Sequence, residues 1–171
     1  MTEDGAMGNP AHAIIQADEP HHFAMAGSLF QEYAAQLGID LCFQDFPSEL
    51  NALPDRYGPP SGCLLLVMRG SKAVGCGAVR GLIGGACEMK RLYIRSDERG
   101  ANLGRRVAER LVERARELGY ERMLLDTLAE MTTAQNLYRS LGFRETGPYY
   151  RNPLPGVVYM ELDLRNAERN P

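Results

Sequence analysis

The sequence predicts a mixed α/β (α+β) fold, in which one central sheet contains an antiparallel meander and is flanked by helices. Two observations support this class. Three strand-like runs, at 63–68, 73–79 and 86–94, are joined by segments of only a few residues, which are too short to cross over between parallel neighbours. Helix-like and strand-like segments then alternate towards the C-terminus. The chain of 171 residues suits one globular domain.

The segment before the meander is predicted to be mainly helical. A short apolar run at 13–17 suggests a first strand, and apolar residues at helical spacing predict a helix at about 22–37. A shorter helix is expected to begin at Ser48 and to be closed by Pro54. The segment 57–62 is rich in glycine and proline, so it is predicted to be a loop.

The segment after the meander predicts two helices and two strands. The longest helix is expected at about 104–118, because its apolar residues form one stripe and its charged residues form the opposite face. A compact strand at 123–127, a helix at 132–141 and an alternating terminal strand at 157–164 follow. These elements complete a sheet in which parallel and antiparallel neighbours are mixed.

No segment of the sequence divides it into several domains. We expect one domain at 13–165 between flexible tails at 1–12 and 166–171, because neither linker-like segments nor repeats interrupt it. No run approaches the roughly 20 apolar residues of a membrane span. The N-terminus also lacks the basic and then apolar order of a signal sequence. A cytoplasmic protein without a membrane partner is therefore expected.

The net charge of −3 conceals an uneven distribution along the chain. Residues 1–55 contain nine acids and no Lys or Arg, whereas residues 88–122 contain ten bases and seven acids. An overall acidic chain of this kind argues against a nucleic-acid partner, and the basic segment predicts a local anion site.

The cysteines do not form a metal-binding pattern. They lie 21, 13 and 11 positions apart, without a CxxC pair or clustered histidines, so we expect no metal. Reduced and mostly buried thiols are predicted, and a catalytic cysteine is an alternative without a supporting signature. The cysteines are Cys42, Cys63, Cys76 and Cys87.

The passage from the third meander strand to the longest helix carries the strongest functional signal. A loop with Gly100, Asn102 and Gly104 connects the strand to the helix. Such residues tolerate positive φ, which lets backbone N–H groups converge, and the helix N-terminus adds partial positive charge. Arg99, Arg105 and Arg106 reinforce this attraction, so a phosphate or pyrophosphate site is predicted. The patterns GxGxxG and GxxxxGK are both missing from the sequence.

Two motifs resemble those of the GCN5-related N-acetyltransferases, the GNAT family. Residues 99–104, RGANLG, resemble the pyrophosphate signature Gln/Arg-x-x-Gly-x-Gly/Ala, with Asn102 where glycine is usual. Residues 136–143, NLYRSLGF, resemble the second motif, LYxxxGF on a helix. The resemblance covers about 63–164. It implies a small bacterial-type GNAT fold and an acyltransferase that moves acetyl from acetyl-CoA to a primary amine by direct attack in a ternary complex.

The resemblance also implies which residues bind CoA. The strand residues Leu92, Tyr93 and Ile94 would lie along the pantetheine arm, and a backbone N–H there would polarise the acetyl carbonyl. The loop and the start of the helix would bind the pyrophosphate. These residues are Arg99, Gly100, Ala101, Asn102, Leu103, Gly104 and Arg105.

Two side chains are implied to be catalytic. Tyr138 would protonate the leaving thiolate, although simple core packing is the alternative. Glu88 lies 11 positions before Arg99, the spacing at which some family members carry the general base that deprotonates the acceptor ammonium. It could instead form an ion pair across the sheet, and Asp126 is then the reserve candidate. Regular alternation predicts four residues on one face of this strand: Glu88, Lys90, Leu92 and Ile94.

The acceptor side is predicted in less detail. The resemblance implies that the first two helices and a C-terminal loop form its walls, and the acidic N-terminal third would attract an amine. The candidate residues are Glu32, Asp40, Gln44, Asp45, Glu49, Tyr149, Tyr150 and Asn152. Arg144 and Arg151 could instead hold the carboxylate of an amino acid.

Several alternatives remain open at the level of the sequence. A small amine, an amino acid, an antibiotic or a protein N-terminus would all fit as acceptor, so the partner is a small-molecule or peptide amine. A non-catalytic acyl-CoA sensor and a structural partner domain are the alternatives to an enzyme. A homodimer is an expectation from the resemblance alone.

Overall fold

Seven strands form one mixed sheet in this computed structural model, which describes residues 11–165. The strands follow the spatial order β1-β2-β3-β4-β5-β7-β6. They are His12–Gln16 (β1), Cys63–Arg69 (β2), Lys72–Gly81 (β3), Ala86–Ile94 (β4), Arg122–Leu128 (β5), Arg144–Thr146 (β6) and Val157–Asp163 (β7). The α-helices are Pro20–Leu37 (α1), Phe46–Asn51 (α2), Leu53–Tyr57 (α3), Leu103–Glu117 (α4) and Thr132–Ser140 (α5).

The sheet separates at its centre. Strands β1 to β4 form the predicted antiparallel meander, and β4 is parallel to β5. This parallel pairing extends only from Ala86 opposite Arg122 to Glu88 opposite Leu124. Beyond Glu88 the two strands diverge, so the C-terminal halves of β4 and β5 border a gap. One edge of β4 is therefore left without a strand partner among the described residues.

Helices cover both faces of the sheet. The apolar stripe predicted for the helix at 104–118 is buried in α4, which packs against β2, β3 and β4. This helix was expected to be the longest, but its 15 residues are fewer than the 18 of α1. On the other face, α1 buries Ala26, Leu29 and Phe30 against β3 and β4. Helix α5 lies on the same side as α4, because Tyr138 belongs to the core cluster that contains the α4 stripe. No helix within residues 11–165 has the length and apolar character to cross a bilayer.

A bulge divides β4 into two halves. Lys90 lies opposite Ala78 and Tyr93 lies opposite Cys76, so two residues of β4 face one residue of β3. Arg91, within the bulge, has a left-handed backbone with a φ of 58°. An extra residue in one strand reverses the inward and outward alternation that follows it.

The bulge overturns the predicted common face of Glu88, Lys90, Leu92 and Ile94. Leu92 and Ile94 pack into the core beside α4, together with Met89. Glu88 and Lys90, the neighbours of Met89 along the strand, point to the opposite face. The prediction was wrong because it assumed an uninterrupted period of two residues.

The other element boundaries agree with the sequence to within a few residues, with three differences. Pro54 lies in the first turn of α3 instead of ending the preceding helix, because Ala52 separates two short helices. Strand β6 was not predicted, since it contains only three residues and all are exposed. His12 belongs to β1 and not to a tail. The predicted flexible tails otherwise lie at 1–10 and 166–171, outside the described residues.

Candidate active site

A groove of about 700 Å³ lies between the end of β4, the start of α4 and α5. Nine of the ten predicted cofactor residues line it, and the exposed Ala101 does not. The nine are Leu92, Tyr93, Ile94, Arg99, Gly100, Asn102, Leu103, Gly104 and Arg105.

The loop before α4 has the geometry of an anion site. Gly100 and Asn102 have positive φ values of 103° and 58°. Asn102 therefore adopts the left-handed conformation that the sequence predicted for it, at the N-cap of α4. The first N–H groups of a helix have no intrahelical acceptor, so those of Leu103 and Gly104 are available to a ligand. A Cβ placed at Gly100 or Gly104 would meet no atom within 4 Å, which shows that the space above this backbone is open.

A second and smaller cavity, which we call the chamber, occupies the gap between β4 and β5. Its volume is about 120 Å³, and Lys90, Asp126 and Tyr138 contribute to its wall. The chamber and the groove share five lining residues, so the two cavities meet at one place. These residues are Tyr33, Leu37, Leu92, Met131 and Ala134.

Tyr138 is buried at the chamber, with its ring 5.7 Å from the ring of Phe143. No described residue forms a hydrogen bond with its hydroxyl group. Burial raises the pKa of the Tyr138 phenol, and the nearby Tyr33 and Asp126 add to this effect. The hydroxyl therefore keeps its proton at neutral pH.

Glu88 is a fully buried carboxylate with both oxygens engaged. Its Oε2 accepts a 2.7 Å hydrogen bond from Nε of Arg80, and its Oε1 accepts a 2.8 Å bond from the Tyr149 hydroxyl. The Nζ of Lys90 lies 3.9 Å from Oε1. Glu88 thus forms the cross-sheet ion pair that the sequence analysis kept as its alternative role, and its role as general base stays a prediction.

Asp126 lies on β5 and is more open than Glu88. Its Oδ2 accepts hydrogen bonds from the Tyr150 hydroxyl at 2.7 Å and from Nδ2 of Asn152 at 3.1 Å. Its Oδ1 has no hydrogen-bond partner among the described residues. Asp126 lines the chamber, as Asn152 and Gln44 also do.

Lys90 and Arg91 are buried bases that the sequence analysis did not assign to the site. Arg91 donates to Glu49 through Nε at 3.0 Å and through Nη2 at 2.6 Å. Glu49 also accepts a 2.6 Å bond from the Tyr57 hydroxyl. Burial alone would raise the pKa of Glu49, but the bonds from Arg91 outweigh burial and hold the pKa below its usual value. Two consecutive bases in a strand with apolar residues on both sides of its charged segment were the available signal.

The remaining acceptor candidates divide into two groups. Gln44, Tyr149, Tyr150 and Asn152 all hydrogen-bond to side chains at or beside the chamber. The other three candidates do not line the chamber. Their side chains accept hydrogen bonds elsewhere: Glu32 from Arg95, Asp40 from the N–H of Cys42 and Asp45 from Arg56. Arg144 and Arg151 are exposed and line neither cavity.

The cysteines lie outside both cavities. Cys63, Cys76 and Cys87 are buried, and burial raises the pKa of Cys87 to about 12. Cys42 is exposed, and its contact with Asp40 raises its pKa as well. Within the described residues, no cluster of His, Cys, Asp or Glu side chains could hold a metal ion.

Comparisons with known proteins show the family of the chain. The sequence matches the model of the acetyltransferase (GNAT) family over residues 28–143. It is 45% identical over 138 residues to a Schizosaccharomyces pombe protein described as an uncharacterized N-acetyltransferase, covering 80% of this chain and 85% of that protein. It is 36% identical over 123 residues to the IAA acetyltransferase of Azospirillum brasilense, covering 70% of this chain and 80% of the relative.

Solved structures share the fold. An acetyltransferase of the GNAT family from Staphylococcus aureus matches with a TM-score of 0.76 at 18% identity, covering 91% of this chain and all of the other. An acetyltransferase from Salmonella typhimurium, solved with its cofactor acetyl-CoA, matches with a TM-score of 0.64 at 19% identity, covering 92% and 96% of the two chains. At such low identities the likeness concerns the fold.

Proposed function

The chain belongs to the GNAT family of acetyltransferases, and we propose that it transfers acetyl from acetyl-CoA directly to a primary amine held in the chamber. Both substrates would be bound at once, without a covalent acyl-enzyme. The observation that carries this proposal is the contact between the groove and the chamber, because it gives two substrates one meeting point. Such an arrangement lowers the barrier by holding the reacting groups close together.

The groove suits CoA in two respects. The N–H groups at the start of α4 and the positive charge of Arg99 and Arg105 suit a pyrophosphate. The β4 edge beyond Glu88 has no strand partner among the described residues, so backbone groups of Leu92–Ile94 can bond to an extended pantetheine arm. When it is bound, acetyl-CoA supplies the acetyl group as a thioester.

The chamber residues then move the protons. A carboxylate takes one proton from the acceptor ammonium, and the neutral amine nitrogen bonds to the acetyl carbon. As the carbon–sulfur bond breaks, Tyr138 gives its phenolic proton to the sulfur, and the second proton that the nitrogen loses restores the phenol. Two properties of Tyr138 support this role: its hydroxyl forms no hydrogen bond with a described residue, and it is protonated at neutral pH.

Asp126 and Glu88 are the two candidates for the base. Asp126 has an oxygen without a described partner and lines the chamber, which favours it for direct contact with the amine. Glu88 would have to exchange its bond to Tyr149 for one to the amine or to a water molecule. We therefore propose that Asp126 is the base that takes the proton of the acceptor, with Glu88 as the alternative. The cytoplasmic location and the homodimer expected from the sequence stay predictions.

Acetylation of a panel of amines tests the proposed function. The protein is mixed with acetyl-CoA and each amine, and the released CoA thiol and the acetylated product are both measured. We expect equal amounts of thiol and acetyl amide for at least one amine. CoA binding without any amide product across the panel would contradict the proposal and would favour an acyl-CoA sensor.

A further inference from the structure

The charged side chains around the chamber differ in how fully neighbouring side chains neutralise them and hydrogen-bond to them. Arg91 and Glu49 neutralise each other through two hydrogen bonds. Arg80 and Glu88 form a second close pair, joined at 2.7 Å. When these two pairs are set aside, the charges left on the chamber wall are those of Lys90 and Asp126.

Lys90 is a buried cation with unused hydrogen-bonding capacity. Its side chain is only 7% exposed. Its ammonium group carries three donors, but its only hydrogen bond to a described residue is a long one of 3.4 Å to Oε1 of Gln44. Its nearest carboxylate oxygen, on Glu88, is 3.9 Å away and already accepts the shorter bond from Tyr149. A buried charge that lacks close partners is costly, so an anionic ligand would stabilise it.

Asp126 is the complementary half of this arrangement. Its Oδ2 is bonded to Tyr150 and Asn152, whereas its Oδ1 has no described partner. The chamber wall therefore offers one incompletely paired cation and one free carboxylate oxygen within about 120 Å³. A ligand that matches both would carry one positive and one negative group a short distance apart.

We infer that the acceptor is a small amino acid, whose carboxylate binds Lys90 and whose amine faces Asp126. A carboxylate carries a single negative charge, which matches one lysine, whereas a phosphate carries about −1.5 to −2 and calls for further cations. The chamber volume of about 120 Å³ is also far smaller than the roughly 300–1,000 Å³ of the pockets that hold drug-sized ligands. This inference rests on the proposed function and names its substrate class. Lys90 acts here as a specificity-determining residue.

Matched acceptors test the inference. The panel consists of the standard α-amino acids, the corresponding amino-acid amides and the amines that lack the carboxylate. An amide keeps the amine and nearly the same shape but removes the negative charge. We expect kcat/KM to be about 10- to 100-fold higher for the preferred amino acid than for its amide, the range of a charge-assisted hydrogen bond.

Variants of Lys90 and Lys72 test whether Lys90 causes the preference for the amino acid over its amide. Lys90→Met keeps the length of the side chain and removes its charge, and we expect it to abolish the preference by raising KM for the amino acid. Lys90→Arg restores a cation and is expected to keep part of the preference. Lys72→Met, on an exposed lysine of β3, is the control and should not change it. Calorimetry with CoA checks that each variant still folds and binds the cofactor.

Direct binding separates this inference from the proposed function. Calorimetry measures the binding of amino acids and amides to the protein already saturated with CoA. Amino acids that bind through Lys90 while no amine of the panel is acetylated would refute the proposed transfer and support only the amino-acid site at Lys90. Amino acids that bind through Lys90 while only other amines are acetylated would overturn the inference that they are the acceptors. Amides and simple amines that are acetylated as well as amino acids, with no effect of Lys90→Met, would overturn the inference and leave the transfer intact. If amino acids neither bind nor react, the inference is also overturned.

Discussion

The groove and the chamber differ in the groups that they offer to a ligand, backbone groups in the first and side chains in the second. One side of the groove offers backbone groups: a left-handed loop, a helix N-terminus and a strand edge that has no strand partner among the described residues. The chamber has polar side chains that are held by one another, such as Asp126 by Asn152. A site made of backbone can accept one constant ligand, whereas a site made of side chains can change its acceptor by substitution. Changes in the two regions should therefore have separable effects.

Asp126→Asn is expected to have the largest effect, and it belongs to the chamber. Asn still accepts a hydrogen bond from Tyr150, but it cannot take the proton of the acceptor, so kcat should fall about 1,000-fold. CoA affinity should not change. Glu88→Gln is the comparison: a pH–rate profile that keeps its acidic limb in Glu88→Gln would support Asp126 as the base. Loss of that limb in Glu88→Gln, with an active Asp126→Asn, would assign the base to Glu88.

Glu49→Gln tests the buried support of the chamber through stability. The substitution leaves Arg91 without its anion, so we expect a loss of about 3 kcal/mol in the free energy of unfolding at neutral pH. Because the pKa of Glu49 is lowered on folding, its contribution is complete above its ordinary pKa and is lost as the pH falls through the folded value. Urea denaturation should show that the free energies of unfolding of the wild type and of Glu49→Gln converge from neutral to acidic pH. A constant difference at every pH would contradict this role.

Tyr138→Phe tests the place where the two regions meet. The ring contact with Phe143 is retained, but the proton donor is lost, so kcat should fall about 100-fold while KM for acetyl-CoA changes little. Both constants are obtained from assays that are stopped at set times and in which the released CoA thiol is measured. A wild-type rate would remove Tyr138 from catalysis and leave it as a core residue.

Gly104→Trp is the corresponding change in the groove and should have the smallest effect of the four. An indole ring above the start of α4 would occupy the space open to the pyrophosphate, and we expect CoA to bind about 30-fold more weakly by calorimetry. Gly104→Ala is the matched control, because its Cβ meets no atom within 4 Å. Equal CoA affinity in the Trp variant would place the pyrophosphate elsewhere.

The contrast between the regions also explains what the sequence could reveal. The loop side of the groove was predicted from the family resemblance and because glycine and asparagine in a short loop have local conformational preferences that can be read without knowing the fold. The opposite wall, which includes Tyr33 and Met131, was not predicted. The order of strands and helices was readable for a similar reason, since apolar periodicity is a local property. Of the ten predicted cofactor residues, only Ala101 does not line the groove.

The chamber was less readable because its contacts join distant segments. Arg91 bonds to Glu49, 42 positions away, and Tyr149 bonds to Glu88, 61 positions away. No local pattern specifies such partners. The bulge at Arg91 added a second obstacle, since it reverses the alternation that was used to place Leu92. Lys90 was recognised only as a charged residue of the strand, and its burial became apparent only in the folded chain.

Initial-rate kinetics test whether both substrates are present together where the groove meets the chamber. Rates are measured over a matrix of acetyl-CoA and amine concentrations, with the best acceptor found in the panel. We predict double-reciprocal lines that intersect, as a ternary complex requires. Parallel lines, the sign of a covalent acyl-enzyme formed before the amine binds, would contradict direct transfer.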